Sequence, residues 1–115
     1  RSGNWEPSSG YSETHVLMDL DNPPDGIFCA NDLMALGCID ALKERGVSIP
    51  EDVSVIGFDN RDIAQFTRPP LTTLHLPLLQ MGSMAVEMIN DIAGGLKSNH
   101  DQLKVECQLI ERESV

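Results

Sequence analysis

At 115 residues the chain has room for one domain with a core of its own and not for two. Hydrophobic residues make up 41% of it, which excludes a disordered chain. Eight basic residues against eighteen acidic ones leave a net charge of −10, which excludes a surface that grips a phosphate backbone through clustered Lys and Arg.

Residues 1–10 carry Gly3, Pro7 and Gly10 among polar neighbours and are expected to form a loop that holds the single tryptophan, Trp5. Over 11–20 the apolar positions Tyr11, His15, Leu17, Met18 and Leu20 make one helical face. Asn22-Pro23-Pro24-Asp25-Gly26 then breaks the chain. Ile27-Phe28-Cys29-Ala30 is a short apolar run between breakers and predicts a fully buried strand. Asn31 follows as an N-cap, with Asp32 favourable in the first turn of a helix. That helix keeps Leu33, Leu36, Ile39 and Leu42 at helical spacing and stops at Gly46.

Val53 to Phe58 is β-branched and apolar, a second buried strand, with Asp59-Asn60 directly after it. Asp62 to Phe66 predicts a helical turn that Pro69-Pro70 ends. Residues 71–74 are extended by composition, Pro77 opens a helix whose stripe includes Leu78, Met81, Ala85, Met88, Ile89 and Ile92, and Gly94-Gly95 closes it. Residues 96–102 are expected to be a loop and Val105 to Ile110 an edge strand. The order predicts an α/β fold, a Rossmann-like parallel sheet flanked by helices. Ligands in such sheets bind beyond the carboxyl ends of the strands, where Asn31 and Asp59 fall in two successive units.

The cysteines Cys29, Cys38 and Cys107 are odd in number and far apart, and are expected to be buried free thiols in a reducing cytosol. They lack the close pairs a zinc site uses, and His15, His75 and His100 are scattered, so no metal and no cofactor is expected. No apolar run approaches the roughly 20 residues that span a membrane, and no signal peptide is visible. Placement in the cytoplasm is the expectation. The first residue is Arg1 rather than Met, so a processed, engineered or truncated chain is expected.

Four phrases, GNWEPSSGY at 3–11, FCANDLMALG at 28–37, IPEDVSVIGFDN at 49–60 and PPLTTLHLP at 69–77, together with LIERESV at 109–115, resemble the C-terminal part of a LacI/GalR-type transcriptional regulator. The resemblance covers nearly the whole chain, in order. It implies a partial periplasmic-binding-protein-like (type I) effector domain, with 1–70 in the C-terminal lobe and 71–76 as a crossover hinge through Thr72, Thr73 and Leu74. It puts 77–95 in a helix of the N-terminal lobe and 96–115 in a return to the C-terminal lobe.

The same resemblance implies that Trp5 lays its aromatic face on a small-molecule effector, with Asn31 and Asp59 as polar contacts. Asn31 also has a purely local role as helix cap, and Asp32 reads as a dipole partner rather than a ligand group. A carboxylate that accepts two hydroxyls, beside an indole, favours a sugar over a nucleobase. The resemblance also implies a homodimer interface through Leu36, Ile39, Asp40, Lys43, Ile63 and Phe66; the helix over 33–45 is itself apolar on more than one face, which suggests a second burial surface. The alternative for that helix is burial within one lobe. Operator DNA would be met only through an N-terminal domain outside this chain.

The leading expectation is therefore the effector-binding and dimerisation portion of a repressor, and not an enzyme. A sugar transporter's solute-binding protein would share the fold and cleft. An enzyme holding Mg²⁺ on Asp32 and Asp59 would need a nucleophile or lysine at a third strand end, or a Gly-rich phosphate loop, and neither is present.

Overall fold

The structure, a computed structural model, describes residues 1–95 and 102–115. His100 and most of the loop expected over 96–102 lie outside the described residues. The described chain is α/β: helices flank a four-stranded sheet in the order β1-β2-β3-β4, with β1 (Gly26–Phe28), β2 (Ser54–Asp59), β3 (Thr72–His75) and β4 (Gln108–Ile110). The pairs β1–β2 and β2–β3 are parallel, as the alternation of strand and helix predicts. Two compact units divide the chain: residues 1–75 with 109–115, and residues 76–108.

In the first unit, α1 (Pro7–Met18) begins a turn earlier than the expected loop over 1–10 allows. Proline at the first helical position loses no hydrogen bond, since that N–H has no helical partner in any case. Helix α2 (Asp32–Glu44) has the expected bounds, with Arg45 as its C-cap and Gly46 in the left-handed region at φ 71°. One face of α2 packs on the sheet: Cys38, Ile39 and Leu42 join Ile27, Val55 and Leu71 in the core. The other face meets α1 at backbone distance. A Cβ on Gly37 would overlap the carbonyl of Pro7, and a Cβ on Gly10 would overlap that of Met34. Small residues at the crossing let the two helices approach this closely. The second apolar face of α2 is therefore filled by α1, inside the unit.

Neither core strand is buried on both faces as its apolar run predicts. β1 is the outer strand and buries only Ile27 of its three residues, with Phe28 61% exposed. β2 alternates, with Val55 and Gly57 buried and Ile56 and Phe58 half-buried. The helical turn after β2 is a short 3-10 helix, Asp62–Gln65.

The terminal phrase contributes more than an edge strand. Ser114 is buried, its Oγ donates to the Val55 carbonyl (2.6 Å) and accepts from the Thr72 N–H (2.8 Å), and its carbonyl accepts from the Val55 N–H (2.8 Å). The β2–β3 register starts one residue later, at Ile56↔Thr72, so Ser114 satisfies the backbone where the two strands have not yet paired. In the second unit, α3 (Leu78–Ala93) buries none of its residues, and Leu78, Leu79, Val86, Ile89 and Ile92 are exposed.

Candidate ligand-binding site

The β1–β2 register pairs Phe28 with Ile56; Asn31 follows the end of β1 by three residues and Asp59 is the last residue of β2, so both fall at the carboxyl end of the sheet. This is the crevice edge where α/β sheets take ligands. Asp59 is the last residue of β2 and stands at φ 108°, with Asn60 at φ 54°. That backbone is costly for residues with a Cβ and turns the chain sharply out of the strand. The Asp59 carboxylate is partly exposed and lies 3.5 Å from Arg61 Nε.

Trp5 occupies the loop before α1 at φ 71° and is 63% exposed, a free aromatic face. Asn31 is buried and engaged at both ends: its Oδ1 accepts from the Met34 N–H (2.8 Å) as the α2 cap, and its Nδ2 donates to the Trp5 carbonyl (3.0 Å). The cap was legible in the sequence. The bond to Trp5 spans 26 residues and was not. It leaves one N–H and one lone pair of the amide uncommitted.

Asp32 is more than a dipole partner. It is wholly buried, its Oδ2 accepts from the Arg61 N–H (2.6 Å), and its Oδ1 accepts from Thr73 Oγ1 (2.6 Å). Burial pushes its carboxyl above the usual range, while the bonds from Thr73 and Arg61 pull it back. Each oxygen thus accepts one hydrogen bond, and among the described residues no three potential metal ligands gather. Arg112, from the terminal segment, donates through Nη2 to Asn60 Oδ1 (2.8 Å) and through Nη1 to the Leu71 carbonyl (2.6 Å).

Thr72 and Thr73 are buried strand residues tied into the first unit, and Leu74 is half-buried. The chain passes to the second unit after His75, just beyond that trio. Of the residues expected at a partner surface, Asp40, Lys43 and Phe66 are exposed and Leu36 and Ile63 half-buried. Ile39 departs from that expectation: it is 1% exposed because the α2 face it occupies packs on the sheet. Cys29 and Cys38 are buried free thiols, with Cys29 pushed up by its hydrogen bond to Cys38 and by burial. Cys107 is only half-buried, because β4 and the segment before it are largely exposed.

A separate cavity of about 390 Å³ opens beside β1, lined by Trp5, Thr14, Leu17, Ile27, Phe28 and Met34 among others. It shares Trp5 with the crevice but includes neither Asn31 nor Asp59, and Arg1, Ser2, Glu13 and Thr14 are its polar lining residues.

A periplasmic binding protein-like domain matches residues 2–115. The HTH-type transcriptional repressor PurR of Serratia proteamaculans is 40% identical over 113 residues, which cover 98% of this chain and 33% of the relative. A solved Lac repressor dimer bound to operator and the anti-inducer ONPF superposes with a TM-score of 0.89 at 29% identity, covering 97% of this chain and 39% of that one. A sugar-binding regulator of the LacI family from Escherichia coli, complexed with phosphate, gives a TM-score of 0.85 at 34% identity, over 98% and 40% of the two chains. The chain thus spans about a third of the length of the curated relatives it matches, and those relatives are transcriptional repressors rather than enzymes. With its parallel sheet and a family match over residues 2–115, the chain belongs to the periplasmic binding protein-like domain family, in the form carried by LacI/GalR-type transcriptional regulators.

Proposed function

We propose that the chain is the effector-reading and dimerisation portion of a repressor, and that its effector is a small ring-shaped molecule, a sugar before a nucleobase. The observation that carries this is the placement of Asn31 and Asp59 at the carboxyl ends of two parallel strands, with the backbone of Trp5, whose indole is exposed, tied to Asn31. An indole covers the C–H face of a sugar, and a carboxylate accepts paired hydroxyls. Among the similar proteins, the sugar-binding regulator favours a sugar and the PurR repressors favour a purine base.

The exposed or half-exposed Leu36, Asp40, Lys43, Ile63 and Phe66 supply the face for a second copy, and Thr72, Thr73 and Leu74 lead into the crossover. Effector in the cleft favours one lobe arrangement and so changes the spacing of DNA-binding heads across a dimer. Calorimetry on the intact protein with a panel of monosaccharides and purine bases tests this reading. Binding of a sugar that Asp59→Ala abolishes supports it. A base binding in place of sugars overturns the sugar assignment, and unchanged affinity in Asp59→Ala overturns the site.

A further inference from the structure

Asp32 has a cost that its helix does not explain. A first-turn acid serves the helix dipole from an exposed position, and Asn31 already caps α2. Asp32 is instead fully buried, and a buried carboxylate is unfavourable unless its oxygens are hydrogen-bonded. β2 makes room for it: a Cβ on Gly57 would overlap Asp32 Oδ1, so glycine there admits the carboxylate between α2 and the strand.

Its two partners belong to different elements. Oδ2 holds the Arg61 N–H, two residues past Asp59, and Oδ1 holds the Thr73 hydroxyl in β3, whose Oγ1 in turn accepts from the Asn60 N–H (3.4 Å). Asp59 and Asn60 both occupy the left-handed region, and such backbone persists only where its surroundings over-determine it. Asn31, one residue before, holds the Trp5 carbonyl.

We infer that Asp32 is a positioning residue for the ligand site: with Asn31 it makes one turn of α2 into a clamp, Asn31 fixing the aromatic wall and Asp32 fixing the strand-end wall that carries Asp59. Through Thr73 the same carboxylate also joins that wall to β3, beside the ladder that already pairs Asp59 with His75, and β3 leads to the unit boundary. The inference rests on the ligand site assigned above for its functional meaning, but its structural content is separable.

The test uses Asp32→Asn, near in shape, which keeps one acceptor and presents an amide to the other donor, together with Thr73→Val and Thr73→Ser. By NMR on the chain, Asp32→Asn and Thr73→Val should speed exchange of the Arg61 amide about tenfold and shift the Asp59 and Asn60 couplings away from left-handed values, the change due to losing one charge-assisted hydrogen bond. Thr73→Ser should restore both, which a role in packing alone would not produce. On the intact protein, whichever of D-ribose, D-galactose, hypoxanthine or guanine binds should bind about tenfold more weakly in Asp32→Asn and Thr73→Val. Native Arg61 exchange and native couplings in both variants would overturn the inference. So would full affinity in both, while Asp59→Ala abolishes binding. If none of the four probes binds the wild type, the exchange and coupling data alone decide it, and the failure then belongs to the ligand assignment.

Discussion

Helices α2 and α3 invert what their sequences promise. α3 carries the cleaner apolar stripe, yet none of its 16 residues is buried, whereas α2 buries seven of 13. The difference is what each helix has to pack against. α2 lies on the sheet and is crossed by α1 at a distance that only Gly10 and Gly37 permit. A stripe states which side of a helix demands cover; it supplies none. Apolar area removed from water stabilises, at roughly 25 cal/mol per Å², only where a shaped partner removes it.

The contrast predicts pairs of variants with opposite or unequal effects. Leu42→Ala in α2 should cost about 2–5 kcal/mol by leaving a cavity in the core, while Ile89→Ala in α3 should fall within about 0.5 kcal/mol of wild type. Urea denaturation of the two variants measures this, and equal losses would mean that α3 is covered in solution. Gly37→Ala should cost about 1–3 kcal/mol or more, because its Cβ meets the Pro7 backbone rather than a side chain that can turn away. Gly82→Ala in α3, with open space around it, should stabilise by about 0.5–1 kcal/mol. Two shifts of the same sign in melting experiments would break the comparison.

At the start of α2, Asn31→Ala should cost about 1 kcal/mol through the lost cap. It should also broaden the Trp5 fluorescence as the loop carbonyl loses its donor. A smaller and pH-dependent effect belongs to Asp32. Burial raises its folded value above the unfolded one of about 3.9, helped by Asp59 and opposed by Thr73, Arg61 and Arg112. Folding therefore favours the protonated form. The contribution is fully present below about pH 4 and is lost as pH rises through the folded value. Against Asp32→Asn, which does not titrate, the wild-type chain should gain relative stability as pH falls towards 4. Paired denaturant titrations that show a difference flat with pH would remove the shift.

Much of this was legible locally. Asn31 announces itself as a cap because a short polar side chain after an apolar run and before a helical period has few other uses. Asp59 was legible as a strand-end residue because a β-branched run stops at it. The start of α1 was not, since Pro7-Ser8-Ser9-Gly10 spells a loop in isolation and a helix only once Gly10 is needed against Met34. Ile39 was misplaced for the same reason. A helix with two apolar faces does not say which one meets the sheet.

The sequence by itself determined the α/β order, the bounds of α2 and the strand ends that carry Asn31 and Asp59, because each rests on periodicity, capping or a breaker within a few residues. Only the tertiary structure decided that Asn31 holds Trp5, that Asp32 holds Arg61 and Thr73, and that Ser114 closes the gap between β2 and β3. Those bonds join residues 26 to 59 positions apart. A donor that distant is chosen by how the elements pack, and no local pattern encodes it.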